Sequence, residues 1–171
     1  MGKLVSRREF FQVSSALAGA VALPAGGTTS VPLGVRGPFR GTLCFFSKPV
    51  PQLDWKELAQ NAKRAGFGGI DLTVRGGGHV APERAATDLP QAVAAIRDTG
   101  LEVPMITTEL LTADDPTAEP ILSAASKLSI PFLKPGYYHY SFVNVLKELE
   151  EAGKRFRGLV ELAGKHGIQV G

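Results

Sequence analysis

From Gly41 onward the sequence predicts an α/β fold of parallel strands joined by helices, and two observations carry that prediction. Short apolar runs alternate with longer stretches bearing a single apolar stripe. Three stripe-to-run junctions also share one form: Ala65-Gly66-Phe67, Thr99-Gly100-Leu101 and His166-Gly167-Ile168. Apolar runs rich in β-branched and aromatic residues suit strands covered on both faces. A glycine just past the last apolar position suits the left-handed turn that ends a helix. Alternation of this kind requires parallel strands with right-handed crossovers.

The elements follow in order. Strands are expected at Leu43–Phe46, Gly69–Val74, Val103–Ile106, Pro131–Leu133 and Ile168–Val170. The first helix carries Trp55, Leu58, Ala59 and Ala62, with Asp54 placed to cap it. The second carries Leu89, Ala92, Val93 and Ile96, with Asp88 as its expected cap. Ile121, Leu122, Ala125 and Leu128 form the third stripe; Leu146, Leu149, Gly153, Phe156, Val160 and Ala163 form the fourth. The charged residues between Lys147 and Arg157 read as the solvated face of that last helix.

Five strands and four helices fit two architectures. An open doubly wound sheet matches the length, whereas a closed eight-stranded TIM barrel needs about 250 residues. No glycine-rich phosphate loop follows the first strand, where Phe46-Ser47-Lys48-Pro49 stands instead. The chain also ends within a strand, without a terminal helix. Both points favour parallel (β/α) units of an incomplete TIM barrel, its N-terminal half, over residues 41–171.

The front of the chain reads differently. Arg7-Arg8, then Phe10 and Phe11, precede the uncharged stretch Val13 to Ala25. A basic start, a short apolar run and small residues make a cleavable export signal over residues 1–25. That run is shorter than the about 20 apolar residues that span a bilayer. It resembles a bacterial twin-arginine signal, which implies a periplasmic or extracytoplasmic location and membrane contact only through the signal. A retained anchor is the alternative. Residues 26–40, rich in Gly, Pro and Thr, read as a flexible linker.

Composition bounds the function. Hydrophobic content of 44% with 20% charged residues is that of a globular chain rather than a disordered one. Of the formal charge of +3, Lys3, Arg7 and Arg8 against Glu9 account for all but one unit, and no basic stripe points to nucleic acid. Cys44 is the single cysteine, so no internal disulfide exists; in its apolar run it reads as a buried, inert thiol.

In a barrel of this type the reactive groups stand just past the C-terminal strand ends. Those positions hold Lys48; Asp71, Arg75 and His79; Thr107, Thr108 and Glu109; and Lys134, Tyr137 and Tyr138. Together they make a polar mouth of mixed charge. Gly69-Ile70-Asp71-Leu72-Thr73-Val74-Arg75, Gly77-Gly78-His79-Val80 and Pro82-Glu83-Arg84 resemble the sugar phosphate isomerase/epimerase family with the xylose-isomerase-like barrel. Ile106-Thr107-Thr108-Glu109 and Leu133-Lys134-Pro135-Gly136-Tyr137-Tyr138 resemble its exported branch. Relatives usually carry Pro where this chain has Gly76.

The resemblance implies metal-assisted proton transfer next to the carbonyl of a small sugar. It implies one divalent metal, Mn, Mg or Zn, held mostly by residues of the later strands, so no metal ligand is assigned within these residues. It implies Glu109 and His79 as catalytic groups, with Lys134, Arg75, Tyr137, Tyr138 and Asp71 facing the substrate. Plainer roles stand beside these: a salt-bridged Glu109, a solvated His79, a structural Asp71, an ion-paired Lys134 and packing tyrosines. The glycine triplet lacks a Walker lysine and reads as a flexible loop. His139 and His166 read as structural, His166 at a helix C-terminus. A non-catalytic carbohydrate-binding module is the alternative function, and a homodimer that completes the barrel stays open.

Overall fold

The computed structural model describes residues 41–171. Five strands form one sheet there: β1 (Cys44–Phe46), β2 (Gly69–Val74), β3 (Glu102–Thr108), β4 (Phe132–Lys134) and β5 (Gln169–Val170). Helices α1 (Trp55–Arg64), α2 (Ala85–Arg97), α3 (Ala118–Lys127) and α4 (Val145–Lys165) fill the connections, with a 3-10 turn at Pro82–Arg84 ahead of α2. Every neighbouring pair of strands is parallel, in the order β1-β2-β3-β4-β5. That order decides between the two architectures. A doubly wound sheet reverses its direction of growth partway, whereas a barrel adds each strand beyond the last. The sheet grows as a barrel does, with β1 and β5 as its borders among the described residues. The expected signal at 1–25 and linker at 26–40 lie outside the described residues. No helix among the described residues is long and apolar enough to cross a membrane.

The core lies between the sheet and the helices. Ile70, Leu72 and Val74 of β2, Val103 and Ile106 of β3 and Leu133 of β4 pack against Leu58, Leu89, Ile96, Ile121, Leu122 and Leu159. Val103 and Ile106 are three apart, an odd spacing that would put them on opposite faces of a regular strand. Pairing with β2 slips between Gly69 and Asp71, so β3 carries one extra residue beside Pro104, and both apolar side chains reach the helices. The other face carries a row in register: Phe46, Asp71, Met105, Phe132 and Gln169. Phe46 and Phe132 there are 38% and 43% exposed.

Helix ends follow one rule. Gly66, Gly100 and Gly167 have φ of +87°, +77° and +70°, the left-handed turn expected of them. A fourth junction uses no glycine: Ser129 has φ +56° after α3. The amides of Phe67, Ile130 and Ile168 donate to the carbonyls of Ala62, Ala125 and Ala163 at 3.0–3.1 Å, so three of the four ends make the same closing bond. Asp54 caps α1 as expected. Its carboxylate accepts from the Glu57 amide at 2.7 Å, and Glu57 reaches back to the Asp54 amide at 3.1 Å.

Two expectations are corrected. Asp88 does not cap α2, which begins three residues earlier at Ala85 because the Pro82 turn leads directly into it. Asp88 sits in the first turn and accepts from the Arg84 guanidinium at 2.6 and 2.8 Å. The buried row of α4 is also one position over ahead of Ala163, which is buried as expected. Ala152, Leu159 and Ala163 face the core, while Leu146 (82% exposed), Leu149 and Val160 are exposed. The helix carries two adjacent apolar rows, and the one with alanines lets its backbone approach the sheet.

Candidate functional site

The first four strands deliver polar groups to or just past their C-terminal ends. Asp71 lies in β2 on the face opposite the helices and is buried. The Thr107 hydroxyl lies 2.9 and 3.0 Å from its two carboxylate oxygens and donates to them. Burial pushes the Asp71 carboxyl above its ordinary pKa, while the Thr107 bond and the Lys134 charge pull the other way. Lys134 belongs to the same face, since its register partner in β3 is Thr107.

Past β2 the chain makes a tight turn. The Arg75 amide donates to the Val80 carbonyl at 3.0 Å, Val80 to Thr73 at 3.1 Å and Gly78 to Arg75 at 2.9 Å. The glycine triplet, expected as a flexible loop, is therefore a hydrogen-bonded turn. Its first amide, Gly76, donates to Glu109 Oε2 at 3.1 Å, and Arg75 Nη2 donates to Glu109 Oε1. Glu109 is salt-bridged, with both oxygens engaged and its partner Arg75 rather than Lys134. Gly136 supports it from below, because a Cβ there would lie 2.7 Å from the Glu109 carbonyl oxygen. A cleft of about 300 Å³ beside this pair is lined by Val74, Pro82, Glu109, Asp115 and Ile121.

His79 goes elsewhere. Its Nδ1 lies 3.2 Å from Thr73 Oγ1, which also accepts from the His79 amide at 3.1 Å and lies 3.1 Å from Ser47 Oγ. Ser47 Oγ in turn accepts from the Thr73 amide at 3.0 Å. The His79 carbonyl accepts from the Trp55 indole at 2.9 Å, and its Nε2 is buried without a hydrogen-bond partner among the described residues. Burial holds the imidazole below its ordinary pKa, against the pull of the Val50 and Leu53 carbonyls. The solvated loop histidine is thus a half-buried one that ties the β1 and β2 loops together.

The tyrosines part company. The Lys134 ammonium stands over the Tyr137 ring, 4.1 Å from its centre. Lys134 first, and Lys48 and Arg75 less strongly, draw the phenol below its ordinary pKa. The Tyr138 hydroxyl donates to the Leu111 carbonyl, which straps the loop after β4 to the loop after β3. The structure thus joins Arg75 to Glu109 and Lys134 to Tyr137, with Asp71 beside them. It engages His79 and Tyr138 in other bonds. Ser47 and Thr73 were not singled out from sequence, and their one signal is a hydroxyl at the end of an apolar run. Cys44, expected to be buried, is half-buried, and burial followed by the Asp71 charge raises its pKa. His139 is exposed, and His166 ends α4 with its ring 3.0 Å from Glu119.

A divalent metal does not fit these residues alone. Among the described residues no group of three or more His, Cys, Asp or Glu side chains converges as an ion requires.

Solved structures share this architecture. The D-allulose 3-epimerase from Methylomonas sp. superposes with a TM-score of 0.54 at 14% identity, over 78% of this chain and 51% of that one. The same enzyme in complex with D-allulose gives 0.54 at 13% identity, over 78% and 51%. The 3-keto-D-glucoside 4-epimerase YcjR from E. coli gives 0.51 at 17% identity, over 68% of this chain and 49% of that one. The chain spans about half the length of these structures. At such identities the likeness is one of fold: parallel β/α units of a TIM barrel. No protein-family model and no curated protein matches the sequence.

Proposed function

We propose that the chain is a sugar isomerase/epimerase-like protein whose strand-end mouth binds a small sugar beside a proton transfer next to its carbonyl. One observation carries the reading. Strands in barrel order bring an oriented carboxylate, Glu109 on Arg75 and Gly76, to the same end of the sheet as Lys134 and Tyr137. In this reading Glu109 accepts a hydroxyl or carbon-bound proton, and Arg75 and the Gly76 amide keep it aimed. Asp71 and Lys134 orient the polyol, and the Tyr137 ring walls the pocket. His79 positions the turn that carries Arg75. The resemblance of residues 1–25 to a twin-arginine signal supports a site of action outside the cytoplasm, after export.

The test is solvent-deuterium exchange. Ketohexoses, D-allulose among them, are incubated with the chain in D2O and the carbon-bound proton next to the carbonyl is followed by NMR. Loss of that signal, abolished in Glu109→Ala, is the expected result. Sugar binding without exchange would instead give the second reading, a carbohydrate-binding module. That reading is favoured by the full engagement of both Glu109 oxygens.

A further inference from the structure

Helix α4 meets different surroundings on different sides. Ala152, Leu159 and Ala163 face the core, and on one flank a Cβ at Gly158 would stand 3.8 Å from that of Ala113. The other flank carries Leu146, Leu149, Gly153, Phe156 and Val160. These positions are spaced 3, 4, 3 and 4 apart, the repeat by which one helix meshes with another. Leu146, Leu149 and Val160 are 82%, 50% and 39% exposed, so the stripe is left open among the described residues. Its middle is a notch. Gly153 has no side chain, and the Arg157 guanidinium overhangs the gap, with Nη1 3.4 Å from where a Cβ would stand. Arg157 has no ion pair among the described residues. Glu150 is paired there only with Lys154 of its own helix, at 3.0 Å, and both side chains are largely in solvent.

We infer that this stripe is the contact surface for a second copy of the chain, with the two α4 helices packed antiparallel about a twofold axis. Such a contact makes every residue pair twice. With Phe156 set into the Gly153 notch of the second copy, Leu149 meets Val160, and the Arg157 displaced from the notch stands next to Glu150. The centre of that register falls between Lys154 and Arg155. The helices, each running from Val145 to Lys165, therefore overlap along almost their whole length. Shape, apolar layers and charge select the same alignment. A parallel pair would set Glu150 beside Val145 and Arg157 beside Ala152, with both charges unmatched. The surface uses none of the strand-end residues assigned to the sugar.

The test is sedimentation equilibrium of the full chain over a range of concentrations. A dimer that dissociates on dilution is expected. Leu149→Gln, at an exposed position, should weaken it by roughly tenfold, since two leucines leave the contact. Glu150→Arg and Arg157→Glu should each weaken it by about the same factor, because two ion pairs become two like-charge pairs. The double variant, Glu150→Arg with Arg157→Glu, should restore the parent's affinity. A monomer at every concentration up to about 0.5 mM overturns the inference, whatever else then covers the stripe. A dimer indifferent to Leu149→Gln is joined elsewhere and overturns it too. A dimer that both single reversals weaken and the double variant does not restore overturns the antiparallel alignment. If Leu149→Gln fails to fold, the three charge variants decide alone: a dimer that none of them alters overturns the inference.

Discussion

Arg75 Nη2 stands 2.5 Å from Glu109 Oε1, which makes one ion pair of two side chains from the ends of neighbouring strands. The pair is half in solvent, with side-chain exposures of 22% and 48%. Ion pairs at such exposure couple weakly, and a double-mutant cycle of Arg75→Ala and Glu109→Ala is expected to give about 0.5–1 kcal/mol. Chemical denaturation measures it. Salt near 1 M, where the Debye length is about 3 Å, should remove most of the coupling. A value that ignores salt would mean the two residues are linked through the backbone turn instead.

Asp71 costs the fold something at neutral pH. Its folded pKa is raised above the ordinary 3.8, so the unfolded chain ionises first. The contribution of this group is therefore fully present below 3.8 and is lost as pH rises through the folded value. Asp71→Asn keeps an acceptor for the Thr107 hydroxyl and removes the charge. Thermal melting at pH 7 should show the variant more stable than the parent, with the gain shrinking toward acid. A less stable variant at pH 7 would assign Asp71 a structural charge.

Ser129 is a non-glycine residue in the left-handed region at the end of α3, where the other three helices have glycine. A side chain there costs about 1 kcal/mol or somewhat more, and glycine's unfolded-state entropy returns part of it. Ser129→Gly should stabilise the chain by roughly 0.5 kcal/mol, read as an increased denaturation midpoint. Ala in the same place should not.

Glu148 holds the start of α4. Its carboxylate accepts from the Ser141 amide and hydroxyl, both at 2.7 Å, and from the Asn144 amide at 3.1 Å. These bonds, that of the Ser141 hydroxyl first, lower its pKa from 4.5 to about 2. A depressed carboxyl stabilises above its unfolded value and loses that contribution as pH falls through the folded one. Glu148→Gln should therefore melt earlier at pH 6, and the difference should close between pH 4.5 and about 2. A constant difference over that range would trace the effect to shape and not to charge.

Much of this fold is written locally. Gly66, Gly100 and Gly167 mark helix ends because left-handed backbone excludes most side chains, and Ser129 escaped notice because it meets the same demand without glycine. Asp54 was legible as a cap because it stands directly ahead of the first apolar stripe, and Glu57 completes its box in the structure. Asp88 misled because Pro82 moved the helix start upstream. The exposed row of α4 shows a different limit: periodicity finds apolar rows but does not say which of two adjacent rows the sheet will take. At the site, the strand-end positions were legible from topology. Their pairing was not, since Arg75 meets Glu109 across two strand ends through register and loop closure, which no single segment encodes.

Trp55 is the chain's single tryptophan, and its indole N–H is bound to the carbonyl of His79 at 2.9 Å. The fold has thereby placed its one indole fluorophore on the seam between the loops that follow β1 and β2. Any ligand that shifts that seam will change the emission of the unlabelled protein, with no other indole to blur the signal.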